Sequence, residues 1–346
     1  MGSLTNFPNG LTSFGIPVVT GMPYPFTGTY FFVDPLNGSD GNTGLSPNKA
    51  LSTLYKAYSL LTDGANDVVF LIGDGSTTGT ARLSTALAQT VTAAATTGVL
   101  TWAKDACHLI GVTAPARLAQ RARIAPPSGT YTQSTFGSGN FIVVSASGCM
   151  FANFSIFHGF STGGASQIAL TVTGSRNAFV NVHVGGMGDA ASAQDAGSRC
   201  VKIGSGGSGE NVFIGCTIGL DTVTRTVANA NVELAGATPR NEFVDCVFPI
   251  MTSADTPLAI LGTGNGCVDR FNLFKSCAFL NAIKSTSTAI AALSSFTTAS
   301  PGGMLVFQDC MLVGATEWGD TNALANSYVD MAAPSASAGG IGVNPS

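Results

Sequence analysis

A six-residue pattern occurs six times between residues 151 and 312, and its copies start 28 to 34 residues apart. Each copy has apolar residues at its first, fourth and sixth places, and the first is always phenylalanine. Repeats of this length are typical of architectures in which one structural unit stacks on the next. The copies begin at Phe151, Phe179, Phe213, Phe243, Phe274 and Phe307.

The spacing inside one copy predicts a strand, a sharp corner and a second strand. The fourth and sixth places are two residues apart, as on one face of a strand, whereas the first and fourth are not. The chain therefore has to turn between them. The third place holds Asn, Asp or Gly in five of the six copies, and these residues tolerate left-handed backbone. Ser276 is the least suited residue at this place.

One further apolar segment precedes each copy, so each repeat offers about three short strands with no helical pattern between them. Three strands per turn, stacked at a strand spacing of about 4.8 Å, predict a parallel β-helix. No coil can bury itself alone, so residues 65–320 are expected to form one cooperative domain. The preceding segments are 141–146, 168–173, 200–204, 232–235, 258–262 and 288–293.

Equivalent residues of neighbouring coils should stack inside such a helix. The first place then forms a phenylalanine ladder, and the fourth place forms a ladder of thiols in the last four copies. The chain has eight cysteines and no C-x-x-C pair, so buried free thiols are expected rather than disulfides or a zinc site. The thiol ladder consists of Cys216, Cys246, Cys277 and Cys310.

Over residues 30–320 these features resemble the right-handed parallel β-helix of the pectin-lyase-like superfamily. The Asn/Asp corner and the internal Phe and Cys stacks carry the resemblance. It implies an all-β fold with three-strand coils. It implies little about function, because the same fold carries lyases, hydrolases, phage spikes and inert structural parts.

Residues 29–64 are predicted to cap the first coil. A strand is followed by a turn, and Ser46 with Pro47 predicts the start of an amphipathic capping helix that ends at Gly64. This order resembles the N-terminal cap of many phage and bacterial β-helix proteins. The turn lacks the spacing of a calcium-binding hand, so a hydrogen-bonded turn is expected. Its polar residues are Asp34, Asn37, Asp40 and Asn42.

Both ends of the chain are predicted to be extended. Residues 1–28 contain four prolines and apolar side chains without a period, which predicts an arm that needs a covering surface. The arm either folds back on its own domain or docks on another subunit, and we favour docking. Residues 321–346 are predicted to be an extended C-terminal tail. The expected partner-binding residues of the arm are Phe7, Phe14, Ile16, Val18, Tyr24 and Phe26.

Composition restricts the function. Only 10% of residues are charged and the net charge is −4, which argues against nucleic-acid binding. No run of 18 apolar residues and no signal-peptide pattern is found, so neither a membrane span nor a signal peptide is expected. We expect no cofactor and no metal site. The histidines are scattered, and His183 takes the outward place of its copy; the other two are His108 and His158.

A pectate-lyase-like enzyme would need clustered carboxylates with an Arg or Lys base on one strand face, and a polygalacturonase-like hydrolase would need paired aspartates facing the groove. Asp245 and Asp309 are accounted for as corner residues. One plausible acid/base cluster remains, in two Gly/Ala-rich loops of adjacent coils, provided that these loops stack. A solvated or interfacial loop is the alternative, and we favour it. The candidates of this cluster are Asp189, Asp195, Arg199, Asp221 and Arg225.

The main interpretation is therefore a structural virion protein of a bacteriophage, a capsid decoration (cement) protein without enzymatic activity. The resemblance and common oligomer symmetry imply a homotrimer bound to the major capsid protein or another virion protein, assembled in the host cytoplasm. The alternatives are a phage tailspike or fibre β-helix and a polysaccharide lyase or depolymerase. A non-catalytic glycan-binding module ranks third, because Trp102 and Trp318 are far apart in sequence.

Overall fold

The structure is a computed structural model, and the part of the chain that it describes forms a parallel β-helix of three-strand coils, as predicted. Each coil passes from sheet A to sheet B through a two-residue corner, continues to sheet C, and returns to sheet A one strand higher. The described residues are 26–73, 100–114, 122–125, 140–158, 167–204, 207–281 and 289–330, together with the backbone of 12–13 and 16–17.

The three sheets are parallel within the β-helix, and their described strands follow in chain order. Sheet A has ten strands: Tyr30–Val33, Val68–Ile72, His108–Val112, Met150–Ala152, Ala178–Val180, Val212–Ile214, Glu242–Val244, Arg270–Lys275, Gly303–Gln308 and Ser327–Val329. Sheet B has seven: Arg123–Ile124, Ser155–Phe157, His183–Gly185, Thr217–Ile218, Val247–Ile250, Ala278–Asn281 and Met311–Val313. Sheet C has eight: Leu100–Trp102, Asn140–Val144, Ile168–Val172, Arg199–Gly204, Ala230–Ala235, Leu258–Thr263, Ile290–Phe296 and Ala315–Gly319.

The phenylalanine ladder lies inside the coil and is buried along its whole length. Neighbouring rings are stacked with centroids 4.5–5.3 Å apart, which is close to the spacing of the strands that carry them. The cysteines of the repeat stack beside it as buried free thiols, which confirms that expectation. Each donates to a phenylalanine carbonyl of the preceding coil, as from Cys246 Sγ to Phe213 O at 3.3 Å.

The corner between sheets A and B has left-handed backbone in every copy, as predicted. The third place has φ values between 50° and 61°, even at Ser276. The reason is geometric: two residues must reverse the side-chain alternation while both neighbouring strands keep their register. The residues at this corner are Asn153, Asn181, Gly215, Asp245, Ser276 and Asp309.

Substitution of Asp245 tests the corner. Asp245→Val should lower the free energy of unfolding by about 1–3 kcal/mol, because a β-branched residue resists a φ of 54°. Asp245→Gly should keep or raise stability at the same position, since glycine adopts this backbone without strain. Urea titration of the two variants measures the difference. An Asp245→Val protein as stable as the Gly variant would show that the corner does not constrain the side chain.

A second ladder, built from asparagines, lies at the turn that enters sheet A. Its members are buried, and Asn211 Oδ1 and Asn241 Oδ1 each accept from the backbone N–H and the Nδ2 of the asparagine below; Asn211 Nδ2 donates to Asn241 Oδ1 at 3.0 Å. Asn272 Oδ1 accepts from the backbone N–H of Asn241. Sequence reasoning missed this ladder. The signal was present, because an Asn-x-Phe tripeptide opens four of the six copies. The ladder consists of Asn177, Asn211, Asn241 and Asn272.

The cap differs from the prediction in its helix. Ser46 and Pro47 begin only a 3-10 turn, Pro47–Lys49, and the α-helix is Leu54–Leu60. Its N-cap is Thr53, whose side chain accepts from the backbone N–H of Lys56. The expected hydrogen-bonded turn is confirmed: Asp34 Oδ1 accepts from the backbone N–H of Leu36 and of Asn37, each at 3.0 Å. Leu54 and Ala57 bury the inner face of the helix.

The C-terminal end also differs from the prediction. The β-helix does not end at residue 320, since Ser327–Val329 pairs with Gly303–Gln308 in sheet A, one coil beyond Ala315–Gly319 of sheet C. The short helix Thr321–Leu324 connects them, and Asp320 caps it by accepting from the backbone N–H of Ala323. Residues 321–329 therefore complete a coil instead of beginning a tail. Most of the two predicted arms lies outside the described residues, and a small antiparallel pair joins Thr12–Ser13 to Ile16–Pro17.

Candidate functional site

The outer face of sheet C combines charged side chains with a neighbouring pair of loops, and it is the candidate site. Two columns of outward residues run up this face and lie outside the main core. The first column contains Ile168, Arg199, Ala230 and Leu258. The second contains Thr171, Lys202, Glu233 and Leu261.

Glu233 is the centre of the charged group. Arg199 Nε donates to Glu233 Oε2 at 2.8 Å, and Lys202 Nζ lies 3.2 Å from Glu233 Oε1. Thr263 Oγ1 donates to the same Oε1. Burial opposes ionisation of Glu233, but Arg199, Thr263 and Lys202 outweigh it and hold its pKa below the usual range. Glu233 is therefore an anion that anchors two cations.

The two cations are not equivalent. The Arg199 side chain is 8% exposed and also donates to the carbonyls of Ala196 and Ser198, so its guanidinium is directed into the protein. The Lys202 side chain is 33% exposed. Lysine carries its ammonium at the end of a flexible stem and can turn towards an incoming anion. Lys202 is thus the cation of this group that solvent reaches.

The predicted acid/base cluster forms only in part. The two loops do pack together, since Asn229 Nδ2 donates to the Ala193 carbonyl at 2.8 Å. Asp189 and Asp195 each accept from a backbone N–H of their own loop. Asp189 caps the short helix Ala190–Ala193 by accepting from Ala191 N–H, and Asp195 accepts from Gly197 N–H. Both carboxylates therefore accept from local backbone N–H groups, and their catalytic role stays a prediction.

Arg225 is a structural residue in this arrangement. It is 3% exposed and donates to the side-chain oxygens of Asn229 and Asn231 and to the carbonyls of Asn229 and Leu258. Burial lowers the pKa of its guanidinium to about 10, which leaves it protonated at neutral pH. Asp221, the fifth candidate, is exposed on the other side of the loop, towards His183.

The chemistry open to the site follows from its carboxylates. The described strands of sheet C carry two, Glu233 and Glu317, and they are three strands apart. That separation is about 14 Å, beyond the roughly 5–9.5 Å at which paired carboxylates cleave a glycosidic bond. Lys202 Nζ is engaged in an ion pair with Glu233 Oε1 at 3.2 Å. The face is arranged to attract an anion.

The histidines lie in three different environments. His108 is buried on the outer face of sheet A, where Nδ1 accepts from Met150 N–H; burial lowers its pKa to about 4. His158 stacks on Phe141 with centroids 5.0 Å apart. His183 faces outward as predicted but is only 5% exposed, because the chain around Leu220 covers it. Among the described residues no group of His, Cys, Asp and Glu could hold a metal ion.

Several solved structures share this architecture. Pectate lyase Pel9A superposes with a TM-score of 0.57 at 14% identity, over 87% of this chain and 67% of that one. The pectin methylesterase PemA from Erwinia chrysanthemi gives a TM-score of 0.53 at 15% identity, over 88% and 91%. The chain has the pectate-lyase-like right-handed parallel β-helix fold. No protein-family model and no curated protein matches the sequence.

This pectate-lyase-like fold accounts for the sequence resemblance. The resemblance does not extend beyond the fold. At such low identity the likeness establishes architecture and transfers no site residue. Sequence reasoning singled out neither Lys202 nor Glu233. The available signal was alternation, since both residues occupy outward places of the strand that precedes a copy.

Among the described residues, no helix is long and apolar enough to cross a membrane.

Proposed function

We propose that the chain binds an acidic polysaccharide along the outer face of sheet C. The observation that carries the proposal is the Arg199–Glu233–Lys202 group, in which a buried carboxylate positions one solvent-reached ammonium. A carboxylate of a uronic acid is a suitable partner for that ammonium. The fold likeness to pectin-active proteins supports the substrate class.

Binding is favoured over cleavage. Elimination from a uronate needs a base that removes the C5 proton while the C4 oxygen leaves, whereas the Lys202 nitrogen is engaged in an ion pair with Glu233. The polysaccharide lyase or depolymerase shares the proposed substrate class and is the nearest alternative. It predicts unsaturated uronate products, which absorb in the ultraviolet.

Lys202→Gln tests the binding site. We expect the variant to bind polygalacturonate about three- to tenfold more weakly, as is usual for a partly exposed ion pair. The matched control is Lys275→Gln, which removes an exposed lysine from the outer face of sheet A and should leave affinity unchanged. Affinity electrophoresis in gels with and without polygalacturonate measures both variants, with dextran as the neutral polymer.

Three results of that experiment are informative. Equal retardation of both variants would contradict the location of the binding site on sheet C. No retardation of the natural protein would contradict the proposed function. Release of ultraviolet-absorbing products would favour the polysaccharide lyase over the binding protein. Salt should weaken the specific retardation, because screening acts on a partly exposed charge pair.

A structural role in a virion, the main interpretation from the sequence, stays a second candidate. It is favoured by the uncharged N-terminal arm, since residues 1–33 contain no Asp, Glu, Lys or Arg. The proposed homotrimer and the capsid or tail partner belong to this candidate. Quantitative mass spectrometry of purified virus particles is its test: many copies per particle would support it, and absence of the chain would exclude it.

A further inference from the structure

The outer face of sheet A is mostly apolar. Nineteen outward residues stand in two columns, and two of them, Glu242 and Lys275, are charged at neutral pH. One column contains Tyr30, Val68, His108, Met150, Ala178, Val212, Glu242, Leu273, Val306 and Tyr328. The other contains Phe32, Phe70, Ile110, Ala152, Val180, Ile214, Val244, Lys275 and Gln308.

Burial changes along this face. In the first coils Val68, Ile110 and Met150 are buried in a cluster that also contains Phe26 and is separate from the main core. Higher up, Ile214 is 40% exposed, and Met304 and Tyr328 are each 39% exposed. Contiguous exposed apolar surface of this kind marks a binding surface in soluble proteins.

Phe26 connects the face to the N-terminal arm. Its ring lies 4.5 Å from the His108 ring, and its carbonyl accepts from the Tyr30 hydroxyl at 3.0 Å. A cavity of about 360 Å³ opens beside it on the same face, lined also by Met150, Arg176 and Ala178. The chain before Phe26 therefore starts on sheet A, at the boundary between the covered and the open parts of the face.

The arm matches the face in chemistry and reach. It has no charged side chain, and its apolar residues need a surface that covers them. Nineteen residues, 7–25, can span roughly 60 Å when extended. The open part of the face, from Ala178 to Tyr328, rises through five strand spacings, roughly 24 Å. A doubled-back segment is long enough as well, which fits the antiparallel pair at 12–17.

We propose that residues 7–25 pack on the outer face of sheet A of their own molecule, over the columns that end at Tyr328 and Gln308. The arm then acts as an intramolecular cover for an apolar sheet, and Phe26 is its fixed end. This inference is independent of the proposed glycan site, because that site lies on sheet C.

Limited proteolysis with chymotrypsin tests the inference on the full chain. The bonds after Phe7 and Tyr24 precede prolines and resist this protease, so cleavage after Phe14 reports on the arm. Ile214→Asp places a charge in the middle of the proposed contact. We expect cleavage after Phe14 to become about tenfold faster, because cleavage follows the population of the undocked arm.

The matched control is Val313→Asp on the outer face of sheet B, where the natural residue is 43% exposed. It should leave cleavage after Phe14 unchanged. Val18→Asp, a change within the arm, should accelerate the same cleavage, and it cannot disturb the coils. Unchanged cleavage in both Ile214→Asp and Val18→Asp would overturn the inference. Protection of the natural protein that disappears on dilution would also overturn it, since the arm would then sit on a second copy.

Discussion

Phe243→Asp should abolish the folded β-helix. Phe243 is fully buried and stacks between Phe213 and Phe274, with centroids 4.8 and 4.6 Å away. The substitution removes both ring contacts and buries a carboxylate without a partner. Loss of the ring alone costs about 3–5 kcal/mol, and the unpaired charge adds to it, which approaches the whole stability of a typical domain.

Phe243→Leu is the control, because it keeps an apolar side chain at the same place. It should cost only about 1–2 kcal/mol and leave unfolding cooperative. Circular dichroism and urea titration of the soluble proteins measure both changes. Since the coils support one another, the aspartate variant should lose strand signal throughout rather than in one coil. An Asp variant with natural strand content would mean that the ladder is not the core of the fold.

Asn241→Asp should be the next most damaging change, although the side chain keeps its size. Asn241 Nδ2 donates to the carbonyls of Ser208 and Thr238, at 3.3 and 3.1 Å. A carboxylate would direct oxygen lone pairs at both carbonyls inside the protein. We expect a loss of about 3–5 kcal/mol in the free energy of unfolding at neutral pH.

The pH dependence identifies the cause of this loss. Burial next to two carbonyls should raise the folded-state pKa of the new carboxyl above its unfolded value of about 3.9. The folded protein then binds the proton more tightly, so stability should fall as pH rises through that interval, and the defect should shrink towards pH 4. The control is Asn265→Asp, an exposed site whose oxygen only accepts, from Thr298. A pH-independent defect would indicate a packing change instead.

The fold was predictable because inward residues repeat. In each copy the phenylalanine at the first place indicates a strand, and the Asn, Asp or Gly usual at the third place indicates the corner that follows it. Because six copies share this spacing, chance agreement is improbable. The asparagine ladder carried a comparable signal in its Asn-x-Phe tripeptides, which sequence reasoning did not use. The start of the capping helix was predicted too early. Ser46 and Pro47 match the residue preferences of a helix start, but Thr53 is the residue whose side chain accepts the capping hydrogen bond.

The candidate site was predictable only in its location. Loop composition indicated that residues near 189–199 and 221–225 meet, and they do. Which partners the side chains choose depends on register and direction. Arg199 could reach a loop aspartate or a strand glutamate, and parallel pairing with the strand Ala230–Ala235 brings Glu233 to it. Arg225 finds four oxygen acceptors that no local pattern reveals.

The sequence by itself determined the coil: its period, its corners, its internal ladders and its free thiols. These features are local or repeat identically, so each copy confirms the others. Only the tertiary structure decided which charges are buried and which surface is open, since these depend on loops that do not repeat. Lys202 forms an ion pair with Glu233 because strand register places the two side by side, and sheet A has a mostly apolar outer face because ten separate strands align their outward residues.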